Sequence, residues 1–104
     1  MSGSRLDELR KFVVQDPGDP FGHYAVALEY VSMQKFPEAV QAFRDLIGLD
    51  PNYVPAYHQL GLLYGRLNQK DEARKTFEVG IRIAGLAGDT HAQGEMQEST
   101  DELE

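Results

Sequence analysis

The sequence is internally repetitive, because residues 20–53 align without a gap with residues 54–87. Six aligned positions are identical: Leu28/Leu62, Tyr30/Tyr64, Glu38/Glu72, Ala39/Ala73, Phe43/Phe77 and Ile47/Ile81. We call the sequence separation between aligned positions, such as 20 and 54, the repeat period. A fixed period of this size is typical of chains that stack one supersecondary unit on its own copy. The self-similarity therefore predicts a repeat protein.

Turn signals divide the chain into segments that have the periodicity of helices. The clusters at 16–20 and 50–52 combine proline, which cannot continue a helix, with Asp or Asn, and a third break lies at 85–89. Between the breaks, apolar residues recur at spacings of three and four, which is typical of helices with one buried face. The six stripes are Leu6, Leu9, Phe12 and Val13; Phe21, Tyr24, Ala27, Leu28 and Val31; Ala39, Val40, Phe43, Leu46 and Ile47; Tyr57, Leu60, Gly61, Tyr64 and Leu67; Ala73, Phe77, Ile81 and Ala84; and Ala92, Met96 and Leu103. No segment shows the alternation of a strand, so we predict an all-α fold of about six helices.

Residues that favour helix N-termini precede several of these segments. Ser4 is expected to cap a first helix, and Asp19 is expected to cap a helix that has Pro20 at its first position. For the last segment, Thr90 and Gln93 are expected to form a capping box.

The helix–turn–helix period resembles the tetratricopeptide repeat. In that family each unit reads Trp-x2-Leu-Gly-x2-Tyr, then Ala-x3-Phe, then Pro. The matching residues are His23, Val26, Ala27, Tyr30, Ala39, Phe43 and Pro51 in the first unit, and Tyr57, Leu60, Gly61, Tyr64, Ala73 and Phe77 in the second. Both units lack the Trp, and the second has Gly85 where Pro is usual, so its last helix is expected to run on by a turn.

The resemblance implies a right-handed stack of antiparallel helical hairpins, a tetratricopeptide-like α-solenoid forming a single domain over 1–104. In this scheme 4–15 is an N-terminal capping helix, 20–53 is repeat 1, 54–87 is repeat 2, and 88–104 is an acidic C-terminal capping helix. Because such arrays need about three units for stability, two units between two half-units are near the minimum. The two half-unit caps favour a complete chain over an excised domain.

The resemblance also implies a concave groove, lined by the first helix of each unit, that binds another protein. Carried over by position, its wall is Phe21, Tyr24, Leu28, Val31, His58, Leu62, Arg66, Ala92 and Met96. A contiguous apolar strip marks an interaction site. The alternative is that Phe21 and Leu28 complete the core between helices. An apolar groove fits a peptide or an amphipathic helix of a partner, but no motif names that partner.

Some members of the family grip an acidic peptide C-terminus with Lys, Arg and Asn in this groove. At the matching places this chain has Tyr24, Leu28, Gln59 and Gln93. That clamp is therefore expected to be absent.

Charge is distributed unevenly along the chain. The net charge of -7 disfavours nucleic-acid binding, which needs Lys and Arg against phosphates. Residues 1–87 carry 11 acidic and 10 basic side chains, whereas 88–104 carry six acidic side chains and no Lys or Arg. The tail could dock on a basic partner, or it could be a solvated cap that complements the basic residues of the preceding hairpin, which are Arg66, Lys70, Arg74 and Lys75.

No catalytic, metal or cofactor site is indicated. The chain has no cysteine, and its three histidines, His23, His58 and His91, fall on different predicted helices without ligand spacing. His23 is expected to pack at the usual Trp position. No apolar run is long enough to span a membrane. We therefore expect a cytoplasmic binding protein that is not an enzyme, needs no cofactor and contacts no membrane.

An alternative function is self-association through the ends of the helical stack. Four apolar residues are predicted to lie near those ends: Leu6, Leu9, Phe12 and Met96. The oligomeric state cannot be read from the sequence, and a homo-oligomer remains an open alternative.

Overall fold

Six α-helices make up the computed structural model, which describes residues 4–103. They are α1 (Arg5–Gln15), α2 (Pro20–Ser32), α3 (Phe36–Leu49), α4 (Val54–Arg66), α5 (Lys70–Leu86) and α6 (Thr90–Asp101). The described residues contain no strand. The prediction of an all-α chain with about six helices and short loops is therefore confirmed.

The helices form two compact units, one within Met1–Asp50 and the other within Pro51–Glu104. In the first unit α2 packs against both α1 and α3. In the second unit α5 packs against α4 and α6, and α4 also contacts α6. The predicted domain limits of the capping helices and of the two repeats remain predictions.

The first two helices begin at the residues that the sequence indicates. Ser4 Oγ accepts a hydrogen bond from the Asp7 amide at 3.2 Å, and the Asp7 carboxylate accepts one from the Ser4 amide at 3.3 Å. At α2, the Asp19 carboxylate accepts from the Phe21 amide at 3.0 Å, and Pro20 is the first helical residue. These caps satisfy amides that have no partner within their helix.

The capping box predicted at Thr90 and Gln93 is wrong. Asp89 is the N-cap of α6, and its carboxylate accepts a hydrogen bond from the Ala92 amide at 3.0 Å. Thr90 is already helical, and the Gln93 side chain donates instead to the Ile81 carbonyl oxygen at 3.0 Å. Asp and Thr both cap helices well, so the sequence did not distinguish these neighbours.

Helix ends follow the repeat period as well. Asp16 and Asp50, each before a proline, end α1 and α3 at φ −142° and −139°, outside the helical region that a following proline disfavours. Gln34 and Asn68 lie after α2 and α4 at φ 58° and 61°, in the left-handed conformation that closes a helix. Without a proline at 85, α5 extends to 17 residues against 14 for α3, as predicted.

The core consists mostly of apolar residues from the predicted stripes, with Ala56 and Leu63 of α4 added to them. In the first unit the buried residues are Leu6, Ala27, Ala39, Phe43 and Leu46, and in the second they are Ala56, Tyr57, Leu60, Leu63, Tyr64, Ala73, Phe77, Ala84 and Met96. Small residues allow the two helices of each hairpin to approach. A Cβ added at Gly61 would lie 2.3 Å from Phe77 Cε1. Within residues 4–103, no polar or charged side chain is buried.

The position that usually holds Trp anchors the first helix of each repeat to the preceding turn. His23 Nε2 lies 2.7 Å from the Pro17 carbonyl oxygen, and the Tyr57 hydroxyl donates to the Pro51 carbonyl oxygen at 2.6 Å. The two side chains are separated by one repeat period, and so are the two carbonyl groups. His23 therefore does more than pack, because its ring ties α2 to the turn that precedes it.

None of the helices described over 4–103 is both long enough and apolar enough to cross a membrane.

Candidate functional site

The outer side of α2 presents the first group of predicted groove residues. The Phe21 side chain is 65% exposed, and Tyr24, Leu28 and Val31 are half-buried. The Tyr24 ring packs on Phe43 with the centroids 6.2 Å apart and the planes at 60°. The core therefore holds Tyr24 from beneath, and a partner can still reach part of these side chains.

The outer side of α4 presents the second group. The His58 ring meets the edge of Phe77 with the centroids 6.4 Å apart and the planes at 64°. Leu62 is 44% exposed, and Arg66 is exposed. His58 and Phe77 lie one repeat period after Tyr24 and Phe43, so each repeat rests one ring of its first helix on the phenylalanine of its second.

Met96 does not belong to an exposed wall. Its side chain is fully buried, so the prediction that it lines the groove is wrong, whereas Ala92 is half-buried. Gly80 leaves the space that Met96 fills, because a Cβ there would lie 2.7 Å from both Met96 Sδ and Tyr57 Cβ. Removal of this long apolar side chain from water stabilises the fold, so Met96 points into the core.

A cavity of about 340 Å³ opens between α1 and α2. It is lined by Leu9, Phe12, Gln15, Asp16, Asp19, Phe21, Gly22 and Ala25. Phe12 is 61% exposed, and it shares this cavity with Phe21. The sequence analysis did not bring Phe12 and Phe21 together, although the repeat period contains the signal: Leu9 and Phe12 correspond to the core residues Phe43 and Leu46.

A second cavity, of about 320 Å³, lies beside Leu62 in the other unit. It is lined by Gly61, Leu62, Gly65, Lys70, Phe77, Ser99, Glu102 and Leu103. The two glycines lower the surface of α4, since a Cβ on Gly65 would lie 3.2 Å from Leu103 Cδ2. Ser99, Glu102 and Leu103 come from the last part of the chain that the structure describes and were not predicted as site residues.

Comparison with known proteins identifies the family of this chain. A family model described as TPR repeat matches residues 27–68, and one described as tetratricopeptide repeat matches residues 54–85. A tetratricopeptide repeat domain protein from Salinibacter ruber is 37% identical, with 86% of this chain and 90% of that chain covered and a TM-score of 0.81. The chain belongs to the tetratricopeptide repeat family.

Two more distant structures share the tetratricopeptide repeat fold. The TPR2B domain of yeast Sti1, in a complex with pHsp70, is 18% identical, with coverage of 94% of this chain and 78% of that chain and a TM-score of 0.88. The first TPR of Spaghetti (RPAP3), bound to the HSP90 peptide SRMEEVD, is 21% identical, with coverage of 94% and 73% and a TM-score of 0.80. No curated protein matches the sequence significantly. Tetratricopeptide repeat domains generally mediate protein–protein interactions and are typically not enzymes.

The charged side chains of this tetratricopeptide repeat chain form local pairs. Arg74 pairs with Asp71 at 3.1 Å and Lys75 with Glu72 at 3.8 Å, both within α5. Arg74 and Lys75 therefore have acidic partners on their own helix, whereas Lys70 lines the same cavity as Glu102 of the tail. The predicted complement between the basic residues and the acidic tail stays a prediction. Surface pairs of this type contribute about 0–1 kcal/mol each.

Two of the four residues predicted to serve self-association are buried. Leu6 and Met96 lie in the core, so their assignment to exposed ends is wrong. Leu9 is half-buried and Phe12 is exposed. Over residues 4–103, no cluster of three His, Cys, Asp or Glu side chains could hold a metal ion.

Proposed function

We propose that this chain binds a peptide or an amphipathic helix of another protein on the outer sides of α2 and α4, the first helices of its two repeats. The observation that carries the proposal is the exposure of large apolar side chains at these positions, with Phe21 at 65% and Leu62 at 44%. Burial of apolar surface contributes about 25 cal/mol per Å². The anchored ring of Tyr24 on α2 and that of His58 on α4 each preorganise the surface of their own helix.

The chemistry of these surfaces favours an apolar partner segment. Tyr24, Leu28 and Val31 bear no charge, and the cavity beside Leu62 has polar groups at its edge, including Lys70 and Glu102. An amphipathic helix matches such a surface through side chains spaced by three and four residues. Acidic peptide C-termini are poor candidates, because Tyr24, Leu28, Gln59 and Gln93 occupy the clamp positions.

In this proposal the chain acts as a cytoplasmic adaptor. Its function requires neither catalysis nor a cofactor, and its partners are proteins. The net charge of -7 supports the exclusion of nucleic acids and of anionic membrane surfaces, because both attract basic proteins.

A display selection tests the proposal. Random peptides would be selected against the full chain, and the affinity of an enriched peptide would be measured by fluorescence anisotropy for the Tyr24→Asp and Leu62→Asp variants. We expect each variant to lose at least about tenfold in affinity, because a charge replaces an apolar contact.

Leu86→Asp is the matched control, because Leu86 is 81% exposed and lies on α5, which contributes no residue to the proposed surface. Far-UV circular dichroism must show unchanged helical content for Leu62→Asp. Unchanged affinity in the Tyr24 and Leu62 variants would place binding elsewhere, and unfolding of Leu62→Asp would identify Leu62 as a core residue; either result contradicts the proposal.

A further inference from the structure

Helix α1 occupies the position of a second helix in the repeat pattern. Leu9 and Phe12 lie one repeat period before Phe43 and Leu46, which are fully buried in α3. In α1 the same positions are open, since Leu9 is half-buried and Phe12 is 61% exposed. Positions that are fully buried in α3 are therefore partly open to solvent in α1.

The hairpins themselves show what covers these positions elsewhere. Phe43 lies beneath Tyr24 of α2, and Phe77 lies beneath His58 and against Gly61 of α4. Leu9 holds the corresponding position of α1, and it is only half-buried. The open side of α1 therefore has the character of a surface on which an amphipathic helix packs.

The cavity between α1 and α2 adds a charge to this surface. Phe12 and Phe21 form exposed walls of the cavity. Asp16 and Asp19 also line it, and they flank the turn that connects α1 to α2. The Asp19 carboxylate is held in place by its bond to the Phe21 amide. We call Leu9, Phe12 and Phe21 with these two carboxylates the α1 surface.

The basic side chains of α1 are engaged away from those carboxylates. Arg5 pairs with Glu29 at 3.3 Å, Lys11 pairs with Glu8 at 3.5 Å, and Arg10 donates to the Tyr30 hydroxyl. The acidic end of the α1 surface is thus not neutralised by its own helix. A cation on a partner would complement it.

We infer that the α1 surface binds an amphipathic helix of another protein, with its apolar face on Leu9, Phe12 and Phe21 and a Lys or Arg beside Asp16 and Asp19. Small residues at the centre of that helix would permit close approach, as Gly61 does over Phe77. A second copy of this chain fits less well, because each copy carries a net charge of -7. The α1 surface shares Phe21 with the proposed groove, but Leu9, Phe12, Asp16 and Asp19 are not groove residues, and Leu62 is not part of the α1 surface.

A pair of designed peptides tests the inference. Both carry apolar residues at helical spacing with alanines at the centre, and they differ in one terminal turn, which holds lysines in one and glutamates in the other. Fluorescence anisotropy should show binding of the lysine peptide that is at least about tenfold tighter than that of the glutamate peptide.

Variants of the full chain locate the binding. Phe12→Gln should weaken the lysine peptide at least about tenfold, whereas Leu86→Gln, at a residue that is also exposed, should not. The double change Asp16→Asn and Asp19→Asn should bring the affinities of the two peptides close together. Asparagine also caps helices, so α2 keeps its N-terminus.

Other outcomes overturn the inference. Failure of the lysine peptide to bind, or equal binding to the wild-type chain and Phe12→Gln, would show that the α1 surface is not the site. Light scattering that reveals a dimer lost in Phe12→Gln would assign the surface to a second copy. Leu62→Asp should leave the lysine peptide bound, so failure of the groove proposal and failure of this one are distinguishable.

Discussion

At the residue scale, Gly61 determines how closely the two helices of the second hairpin approach. No side chain can occupy its position without meeting the Phe77 ring, because the added Cβ would lie 2.3 Å from Cε1 and 2.6 Å from Cδ1. The corresponding residue of the first hairpin is Ala27, which is fully buried. Each hairpin therefore needs a small residue here, and the second needs the smallest.

Gly61→Ala should destabilise the chain by about 1–3 kcal/mol, because the Phe77 ring must move to relieve the overlap. Urea unfolding followed by circular dichroism measures the change. Gly94→Ala is the matched control, since Gly94 lies within α6 with no atom within 4 Å of the added Cβ. That change should stabilise by about 0.5–1 kcal/mol through helix propensity. Equal effects of the two substitutions would contradict the packing account.

Tyr57 is a second residue whose role can be measured directly. Tyr57→Phe removes the hydrogen bond to the Pro51 carbonyl oxygen and leaves the ring in place. The loss should be about 0.5–1.5 kcal/mol, the usual net contribution of one hydrogen bond. Thermal unfolding monitored at two wavelengths would test this. An unchanged free energy of unfolding would mean that water replaces the hydroxyl without cost.

At the element scale, the ends of α2, α4 and α5 depend on a left-handed residue. Gln34, Asn68 and Gly88 have φ of 58°, 61° and 73°. The amides that follow them, of Lys35, Gln69 and Asp89, donate to the carbonyl oxygens of Tyr30, Tyr64 and Ala84 at 2.8–2.9 Å. Glycine adopts this conformation without strain, whereas a side chain at Gln34 costs about 1 kcal/mol.

Gln34→Gly should therefore stabilise the chain by a few tenths to about 1 kcal/mol, and Gly88→Ala should destabilise it by about 1 kcal/mol. Chemical denaturation of both variants measures the sign of the change in the free energy of unfolding. Destabilisation by Gln34→Gly would show that the Gln34 side chain makes a contribution that its backbone conformation does not reveal.

The sequence predicted which segments form helices better than it predicted which face of each helix is buried. The proline clusters, the Asp19 cap and the longer α5 were predicted, because each depends on local chemistry. The rotation of α6 was not predicted, because it depends on the empty space that Gly80 leaves for Met96 in three dimensions. Periodicity alone assigned Met96 to a wall, and packing placed it in the core.

At the scale of the whole molecule, the repeat period organises both the core and the candidate surfaces. It aligns Tyr24 with His58, Leu28 with Leu62 and Phe43 with Phe77, and the structure repeats the ring contacts at these positions. The period could not tell which aligned positions stay exposed. Phe12 aligns with buried Leu46, yet Phe12 is 61% exposed beside Phe21 in the cavity between α1 and α2.

A peptide with an acidic C-terminus should not bind to this chain. The sequence SRMEEVD, found with a distant relative of the same fold, is a suitable probe. We expect it to bind no better than a scrambled peptide, because Tyr24, Leu28 and Gln59 offer no cation and the Gln93 amide is occupied by the Ile81 carbonyl oxygen. Isothermal titration calorimetry would decide this. Clear binding that Tyr24→Asp abolishes would contradict the absence of the clamp.

The central claim is that the first helix of each repeat, α2 in one unit and α4 in the other, presents apolar side chains that bind a partner peptide. Nuclear magnetic resonance of the isotopically labelled chain, titrated with a peptide from the display selection, tests it most directly. We predict that the largest amide shifts fall on α2 and α4, around Phe21, Leu28 and Leu62. The claim is contradicted if the largest shifts fall on α3 or α5 and the amides of α2 and α4 do not change.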